Sequence, residues 1–200
     1  MTVTFTEENH EYRMDGAVVP SVTEILQPLS DFSRVPMEVL EYKRSLGKAV
    51  HKAIELWERQ DLDIADLDPA ALPYFDGWLK FKKESGFRAV KSELMVWSYQ
   101  YRYAGPLDII GHRGETIGEV FSCTELLDVK CVYSIAPETA IQTAAYETAL
   151  TESAGLKVKK RGAVQLTPEG GFKYFPYRDK GDFNVFLSLL NIHNWRRNHA

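Results

Sequence analysis

Alternating polar and apolar positions at the start of the chain predict a β-hairpin. The stretch TFTEENHEYRMDGAVVPSVTEIL alternates around Asp15-Gly16, a dipeptide that suits a tight turn with positive φ. Pro20 then ends the strand, and residues 21–24 (SVTE) fit a capping box at the start of a short helix. The N-terminal region is therefore predicted to be a hairpin followed by a helix.

The spacing of apolar residues then changes to that of a helix. A helix is predicted over residues 36–59 because large apolar side chains recur on one face: Leu46, Val50, Ile54 and Trp57. Gly47 lies inside this helix and could interrupt it. Asp68-Pro69 has the N-cap and first-turn proline pattern of a further helix, which is predicted to end at Gly86.

Beyond residue 86 the pattern becomes that of strands. An aromatic-rich alternation from Val90 to Tyr103 is predicted to turn at Ala104-Gly105 and to return through residues 106–111 (PLDIIG). A polar connection leads to a third strand, predicted from about Thr124 to Val132. The aromatic residues of the hairpin are better explained by core packing than by stacking on unpaired bases.

The rest of the chain predicts helices around these strands. Residues 137–155 are strongly helical, a hairpin passes through 168–171, and a last helix runs from about Asp182 to Arg197. The order indicates the α/β class, with a small mixed central sheet flanked by helices and an N-terminal β-hairpin. We expect one domain over 1–200, with the hairpin and first helices in 1–86 and the core sheet in 87–200.

Composition limits the possible functions. At 200 residues, with 44% apolar and 26% charged residues, the chain has the composition of an ordinary globular protein. A net charge of −4 means that any contact with nucleic acid must be local. No apolar run approaches the length of a membrane span and no leader is evident, so a cytoplasmic location is expected, without membrane association. Cys123 and Cys131 alone cannot form a zinc site or an iron–sulfur cluster.

Two charges lie within an apolar strand, in the sequence TELLDVKC. Asp128 and Lys130 point to the same face of the predicted strand, while the intervening Val129 points to the other. A buried charge is costly unless it is paired or used. This strand is therefore the first candidate for a functional site.

A further carboxylate, Asp108 in GPLD, lies on the preceding predicted strand. Sequential strands are usually neighbours, so Asp108 is expected close to Asp128. Paired carboxylates in an open site suit Mg²⁺ or Mn²⁺, and a nearby lysine can orient water and stabilise a developing oxyanion. Asp108, Asp128 and Lys130 together predict hydrolysis of a phosphodiester. Glu119 and Glu125 are left out, because Glu119 falls in the connection and Glu125 on the opposite face of the strand.

The motifs GPLD and D-x-K resemble the signature of PD-(D/E)XK nucleases, in particular the RecB-type and phage exonuclease branch. Glu93 lies fifteen residues before Asp108, where this branch often carries an acidic residue near the metal. The segment RSLGKAVHKAIE resembles the R-x-x-G-x-x-x-H helix, which places His51, and Gln142 with Tyr146 matches Q-x-x-x-Y. An N-terminal match extends the resemblance to residues 9–150, with no four-cysteine cluster of the iron–sulfur subgroup.

The resemblance implies a restriction-endonuclease-like core and a set of site residues. One or two Mg²⁺ or Mn²⁺ ions would be held by five groups: His51, Glu93, Asp108, Asp128 and the carbonyl of Val129. Lys130 would position the attacking water, and Gln142 and Tyr146 would support the site through hydrogen bonds. The DNA backbone would be bound by Arg44 and Lys48. Further basic candidates for DNA contacts are Arg34, Lys157, Lys159, Lys160 and Arg161. For the run 157–161, an ordinary solvated face is an equally good explanation.

Each motif alone also has a simpler interpretation. His51 could be an ordinary histidine with Glu55 as its partner, and Glu93 could pair with Arg88 or Arg102 on the surface. Gln142 and Tyr146 could pack against the sheet. The order of the motifs favours the family, because each falls on the element that the mechanism requires.

The resemblance implies a Mg²⁺-dependent DNA exonuclease that acts on linear ends in phage-type recombination, replication or repair. The alternatives are an endonuclease, either restriction-like or structure-specific, a catalytically silent DNA-binding scaffold, and an α/β protein without a nucleic-acid role. A single-strand annealing or binding protein is a candidate partner, and the bacterial host cytoplasm is the expected location if the protein is phage-encoded. The sequence does not show the polarity of digestion or whether single or double strands are preferred. It also leaves open whether the substrate is DNA or RNA, and the oligomeric state.

Overall fold

The N-terminal strands form a small antiparallel sheet in this computed structural model, which describes residues 2–113 and 125–199. In chain order the strands are β1 (Val3–Thr6), β2 (Glu11–Met14) and β3 (Ala17–Val19), and they lie side by side in that order. The predicted hairpin is β2 and β3, whose turn at Asp15-Gly16 has positive φ at both residues. This sheet packs its buried side chains against the central sheet.

Three helices follow in the first half of the chain: α1 (Val22–Leu26), α2 (Met37–Glu58) and α3 (Leu72–Ser85). The predicted capping box of α1 is present, because Ser21 Oγ accepts a hydrogen bond from the Glu24 amide at 3.1 Å and the Glu24 carboxylate accepts one from the Ser21 amide at 2.6 Å. Gly47 does not interrupt α2, which is continuous over 22 residues.

The start of α3 differs from the prediction at Asp68-Pro69. The Asp68 carboxylate accepts a hydrogen bond from the Ala70 amide at 2.8 Å. The backbone carbonyl of Asp68 accepts another from the Ala71 amide at 2.8 Å. These bonds close a separate turn, so the helix begins only at Leu72. Its end is as predicted, because Gly86 adopts the left-handed conformation that terminates helices.

In the part of the chain that the structure describes, the central sheet has five strands, in the spatial order in which they follow along the chain. They are β4 (Phe87–Ser98), β5 (Tyr103–Arg113), β6 (Glu125–Lys130), β7 (Lys160–Leu166) and β8 (Phe172–Tyr177). Among these described strands, only β6 and β7 are parallel, since helix α4 (Glu138–Ala154) crosses between them. Helix α5 (Asp182–His199) ends the described chain. The predicted α/β class with a mixed sheet and an N-terminal hairpin is confirmed.

The predicted turn at Ala104-Gly105 is wrong, because both residues lie inside β5. The chain turns instead over residues 99–102, where the Glu152 carboxylate accepts hydrogen bonds from the Ser98 hydroxyl and the Gln100 amide. Tyr103 is buried and donates its hydroxyl to the Ala145 carbonyl at 2.8 Å. A contact from a distant helix, which the local sequence does not reveal, therefore positions this turn.

Helices cover both faces of the central sheet. Helices α2 and α3 pack on one face over Leu127 and Val129, and α1, α4 and α5 pack on the other over Leu126. Strand β6 thus alternates between two cores, and by this alternation Asp128 and Lys130 face α4. None of the helices within residues 2–113 and 125–199 is long and apolar enough to cross a bilayer.

Two glycines offer a matched test of packing. A Cβ at Gly77 in α3 would overlap the Gly171 carbonyl oxygen, whereas a Cβ at Gly47 in α2 meets no atom within 4 Å. We expect Gly77→Ala to lower the free energy of unfolding by about 1–3 kcal/mol through overpacking. Gly47→Ala should raise it by about 0.5–1 kcal/mol through helix propensity. Urea unfolding measures both, and equal effects would contradict the packing described.

Candidate active site

A histidine and two carboxylates meet where α2 crosses the sheet. His51 lies on α2, Glu93 on β4 and Asp108 on β5, and one ligand atom from each lies within 4.8 Å of the others. His51 Nδ1 is 3.3 Å from a Glu93 oxygen, and His51 Nε2 is 3.9 Å from Asp108 Oδ2. Antiparallel pairing brings Glu93 opposite Asp108, between the flanking pairs of the β4–β5 register. This trio is called the His–Glu–Asp cluster below.

The backbone of β4 is distorted at the cluster. Glu93 has a φ of 47° in the middle of a strand, a conformation that costs a non-glycine residue about 1–3 kcal/mol. The β4–β5 register also shifts nearby on the same strand, between Ala89 and Lys91. Such distortions are frequent at functional sites.

The backbone of Val129 completes the cluster. Its amide donates a hydrogen bond to Asp108 Oδ2 at 2.7 Å, and its carbonyl oxygen lies 2.9 Å from His51 Nε2. The Val129 side chain is buried on the same side of the sheet. Strand β6 thus holds Asp108 in place and offers a carbonyl oxygen to the same small space.

Asp128 and Lys130 form an ion pair next to the cluster. Lys130 Nζ donates a hydrogen bond to Asp128 Oδ1 at 2.9 Å and a longer one to Gln142 Oε1 at 3.4 Å. Asp128 is only 2% exposed, and its Oδ2 has no hydrogen-bond partner among the described residues, although Nζ is 2.9 Å away. The His–Glu–Asp cluster does not include Asp128, so its assignment as a metal ligand stays a prediction.

The pKa values of these groups reflect burial and mutual charge. Burial, and then the charge of Asp108, raises the pKa of Asp128 to about 6, against the opposing effect of Lys130. Burial disfavours a charged His51, but Asp108 and Glu93 outweigh it and raise the pKa of His51 to about 9. Burial also opposes the charge of Lys130, yet Asp128 and Asp108 raise its pKa. Each carboxylate here therefore has a cation beside it.

The donor set fits a divalent cation. Carboxylate and carbonyl oxygens are the ligands that Mg²⁺ and Mn²⁺ prefer, and imidazole is accepted by Mn²⁺ and other transition metals. The buried Asp128 Oδ2, which lacks a well-directed hydrogen bond, is a further available oxygen. A ring nitrogen of His51 would first have to lose its proton, because both nitrogens now face oxygen atoms.

Helix α4 supports the site from behind. Gln142 contacts Lys130, and Tyr146, one turn further, is buried against Gly105. A Cβ at Gly105 would lie 3.2 Å from the Tyr146 ring, so this glycine permits close packing rather than the turn predicted for it. Burial raises the pKa of Tyr146 well above its usual value, which keeps the phenol protonated.

The cluster opens into a cleft of about 920 Å³. Helix α2 lines one side with Arg44, Lys48 and Lys52, and the N-terminal region lines another with Glu7, His10 and Thr23. Within residues 2–113 and 125–199, Arg44 and Lys48 form no ion pair, and their assignment as DNA contacts stays a prediction. The sequence did not predict that the N-terminal region lines this cleft.

Several other candidates have structural partners instead. Arg161 is 7% exposed and binds the acidic side chains of Glu147 and Asp182, so its prediction as a DNA contact is wrong. Glu55 pairs with Lys52 and Arg59 rather than with His51. Lys159 and Lys160 line a separate cleft of about 440 Å³, and neither Arg34 nor Lys157 lines the cleft at the cluster.

Glu125, at the start of β6, and Cys131, just after its end, are both buried. Glu125 is buried with Arg113 and Tyr174, in agreement with its exclusion from the site. Cys131 is a buried free thiol whose pKa is raised to about 12 by burial. Glu119 and Cys123 lie outside the described residues.

Replacing Arg161 tests its structural role. Its guanidinium also donates to the carbonyls of Ala140 and Asp179 at 2.8 Å. We expect Arg161→Ala to lower the free energy of unfolding by about 2–3 kcal/mol, because the buried guanidinium donates charged hydrogen bonds that its partly exposed partners would lose. Lys160→Ala, at an exposed neighbour, should change it by less than about 0.5 kcal/mol. Urea unfolding would contradict this role if the two variants had the same stability.

No family model matches this chain, and no curated protein does. Among solved structures, a putative exonuclease from Eubacterium rectale is similar with a TM-score of 0.49 and 11% identity, covering 76% of this chain and 65% of that one. This chain thus spans less than two thirds of that protein's length. The alkaline exonuclease LHK-Exo from Laribacter hongkongensis is similar with a TM-score of 0.39 and 10% identity, over 90% of this chain and 92% of that one. Its complex with dAMP gives a TM-score of 0.38 and 11% identity, over 90% and 93%.

Proposed function

We propose that this chain is a divalent-metal-dependent nuclease that hydrolyses phosphodiester bonds at DNA ends. One observation supports it above all others: the His–Glu–Asp cluster and the Val129 carbonyl lie directly beside the Asp128–Lys130 pair. The sequence resemblance to PD-(D/E)XK exonucleases supports the same reaction. The cluster is open to a cleft with basic side chains, as a polyanionic substrate requires.

One or two Mg²⁺ or Mn²⁺ ions would be held by the cluster, the Val129 carbonyl and Asp128. When bound, such an ion would neutralise phosphate charge and lower the pKa of a coordinated water. Val129 serves this site through its backbone alone, since its amide fixes Asp108 while its carbonyl faces the same space. Strand β6 therefore orients the ligands as well as supplying them.

Lys130 would provide the cation at the scissile phosphate. Asp128 and Gln142 hold its ammonium group on the side of β6 that faces α4. Paired in this way, the group acts as a hydrogen-bond donor that orients water and offsets charge in the pentacovalent transition state. Gln142 and Tyr146 act on Lys130 and on its surroundings, and they are positioning residues.

The basic side of the cleft would bind the DNA backbone. Arg44 and Lys48 are one turn apart on α2, and His51 follows on the same helix. Phosphate contacts of this kind hold the substrate without reading its sequence, and they weaken as salt rises. A phosphate held by α2 would be kept close to the cluster.

The proposal extends to biological context. We infer an exonuclease of phage-type recombination, replication or repair, acting in the cytoplasm of a bacterial host, with a single-strand annealing or binding protein as a candidate partner. An endonuclease on the same scaffold and a catalytically silent DNA-binding protein are the competing functions. The intact Asp108, Asp128 and Lys130 set argues against the silent protein.

Comparison of linear and covalently closed circular DNA tests the exonuclease. Both substrates are incubated with the protein and Mg²⁺ or Mn²⁺, and the products are separated by size. Loss of the linear DNA with the circle left intact is expected, because an exonuclease needs an end. Nicked or linearised circles would instead establish the endonuclease, and metal-dependent binding without any cleavage would establish the silent protein.

A further inference from the structure

Three aromatic rings from the N-terminal sheet pack together at the side of the catalytic cleft. Phe5 stacks on Tyr12 with ring centroids 4.8 Å apart, and the ring of His10 meets both edge-on, at 5.2 Å and 5.6 Å. Phe5, His10 and Tyr12 are called the ring cluster below. None of its residues belongs to the His–Glu–Asp cluster.

The ring cluster is anchored at its base and open at its tip. Tyr12 is 1% exposed and belongs to the core between the N-terminal sheet and β5, whereas Phe5 is 40% exposed and His10 is exposed. His10 has a φ of 49° in a turn closed by a hydrogen bond from its amide to the Glu7 carbonyl. A rigid base with exposed rings is suited to stacking on a flat ligand, since little conformational entropy is lost on contact.

The ring cluster also continues into the catalytic cleft. His10 lines the same cleft as His51, Glu93, Asp108 and Lys130. A ligand bound at the His–Glu–Asp cluster could therefore also contact His10 within the same cleft.

The two sides of the cleft differ in chemistry. Arg44 and Lys48 on α2 suit phosphate, whereas Glu7 beside His10 would repel it. A nucleotide combines an anionic group with a flat aromatic base, and these two parts match the two sides. The charge distribution thus favours phosphates toward α2 and bases toward the ring cluster.

We propose that the His10 ring, held edge-on against Phe5, forms a stacking site for a nucleobase of the DNA end bound in the cleft. This inference rests on the proposed nuclease function and adds to it a contact that recognises the base itself. Stacking on aromatic side chains tolerates any base, because every base has a π-face, so the site would secure an unpaired end without sequence preference.

Removing the base from the substrate tests the site. The affinity of a short oligonucleotide is measured by fluorescence anisotropy in Ca²⁺, and compared with versions in which the last two nucleotides of one end, and then of the other, are abasic. The wild-type protein should bind the intact oligonucleotide about tenfold more tightly than one of the abasic forms. His10→Asn, which tolerates the positive φ but lacks a ring, and Phe5→Leu should reduce this ratio to below about threefold.

Two further variants separate stacking from other causes. Phe5→Trp keeps an aromatic ring packed against His10 and should retain the tenfold ratio. Lys48→Met should weaken both oligonucleotides equally, as loss of a phosphate contact does. Circular dichroism confirms that each variant is folded.

Failure of this inference is distinguishable from failure of the nuclease. A ratio near one in the wild type, or an unchanged ratio in His10→Asn and Phe5→Leu, would overturn the stacking site alone if linear DNA is still bound and cleaved with Mg²⁺. Equal weakening of intact and abasic forms in His10→Asn would make His10 a phosphate contact and also overturn it. An absence of any DNA binding would overturn both proposals.

Discussion

Replacing Lys130 with methionine is expected to reduce DNA hydrolysis by about 10²–10⁴-fold, the range for a positioned group that orients water or offsets charge. The substitution removes the ammonium that Asp128 and Gln142 hold beside the His–Glu–Asp cluster, and it keeps an aliphatic side chain of similar length. Rates of nucleotide release from end-labelled linear DNA at saturating Mg²⁺ measure the effect.

The fold should tolerate Lys130→Met better than the reaction does. Loss of one partner of a buried pair is usually destabilising, but Asp128 already has a pKa raised to about 6 and can take up a proton instead of remaining charged. Lys173→Met, at an exposed lysine of β8, is the matched control and should retain full activity. If Lys130→Met is folded and as active as this control, Lys130 has no part in hydrolysis.

Replacing Asp108 with asparagine should abolish metal-dependent stabilisation and lower hydrolysis by more than about 10³-fold, because a metal site that loses a charged ligand loses several kcal/mol of transition-state stabilisation. The amide oxygen of asparagine can still accept the hydrogen bond from the Val129 amide, so the backbone of the site should survive. The measurements are the shift in melting temperature on addition of Mn²⁺ and the rate of hydrolysis.

Asp66→Asn is the control for Asp108→Asn, because Asp66 is exposed in a short 3₁₀ helix away from the cluster. The wild type and this control should melt at a higher temperature with Mn²⁺, since a ligand that binds only the folded state stabilises it. A Mn²⁺-induced shift in Asp108→Asn equal to that of the control would place the metal elsewhere.

Much of the fold could be predicted because local rules decide it. The Asp15-Gly16 turn, the capping box of α1 and the left-handed Gly86 all depend on residues close in sequence. The faces of β6 were also predictable, since strand alternation alone separates Asp128 and Lys130 from Val129.

Apart from the start of α3, where a local turn at Asp68 intervenes, the errors have long-range causes. The turn at residues 99–102 depends on Glu152 from α4, and Gly105 is needed for the approach of Tyr146 rather than for a turn. Arg161 has the sequence context of an exposed basic residue in a polar run, but it is buried and forms ion pairs with Glu147 and Asp182. Contacts between distant parts of the chain leave no local pattern.

The candidate site was foreseen more completely from family resemblance than from the pattern of residues. Alternation and strand order alone suggested Asp108, Asp128 and Lys130, and the structure places these on neighbouring strands. His51 and Glu93 came from motif order, and the structure brings both to Asp108. No local rule could have shown that α2 crosses the sheet at this point, or that the ring cluster lies at the same cleft.

The most direct measurement of the central claim is hydrolysis of end-labelled linear DNA by the wild-type protein with Mg²⁺, with Mn²⁺ and with EDTA. The account predicts release of labelled nucleotides with either metal, none with EDTA, and recovery when excess Mg²⁺ is added back. Hydrolysis that continues unchanged in EDTA would contradict the metal-dependent mechanism. A folded protein that binds Mn²⁺ and cleaves neither duplex nor single-stranded DNA would contradict the nuclease itself.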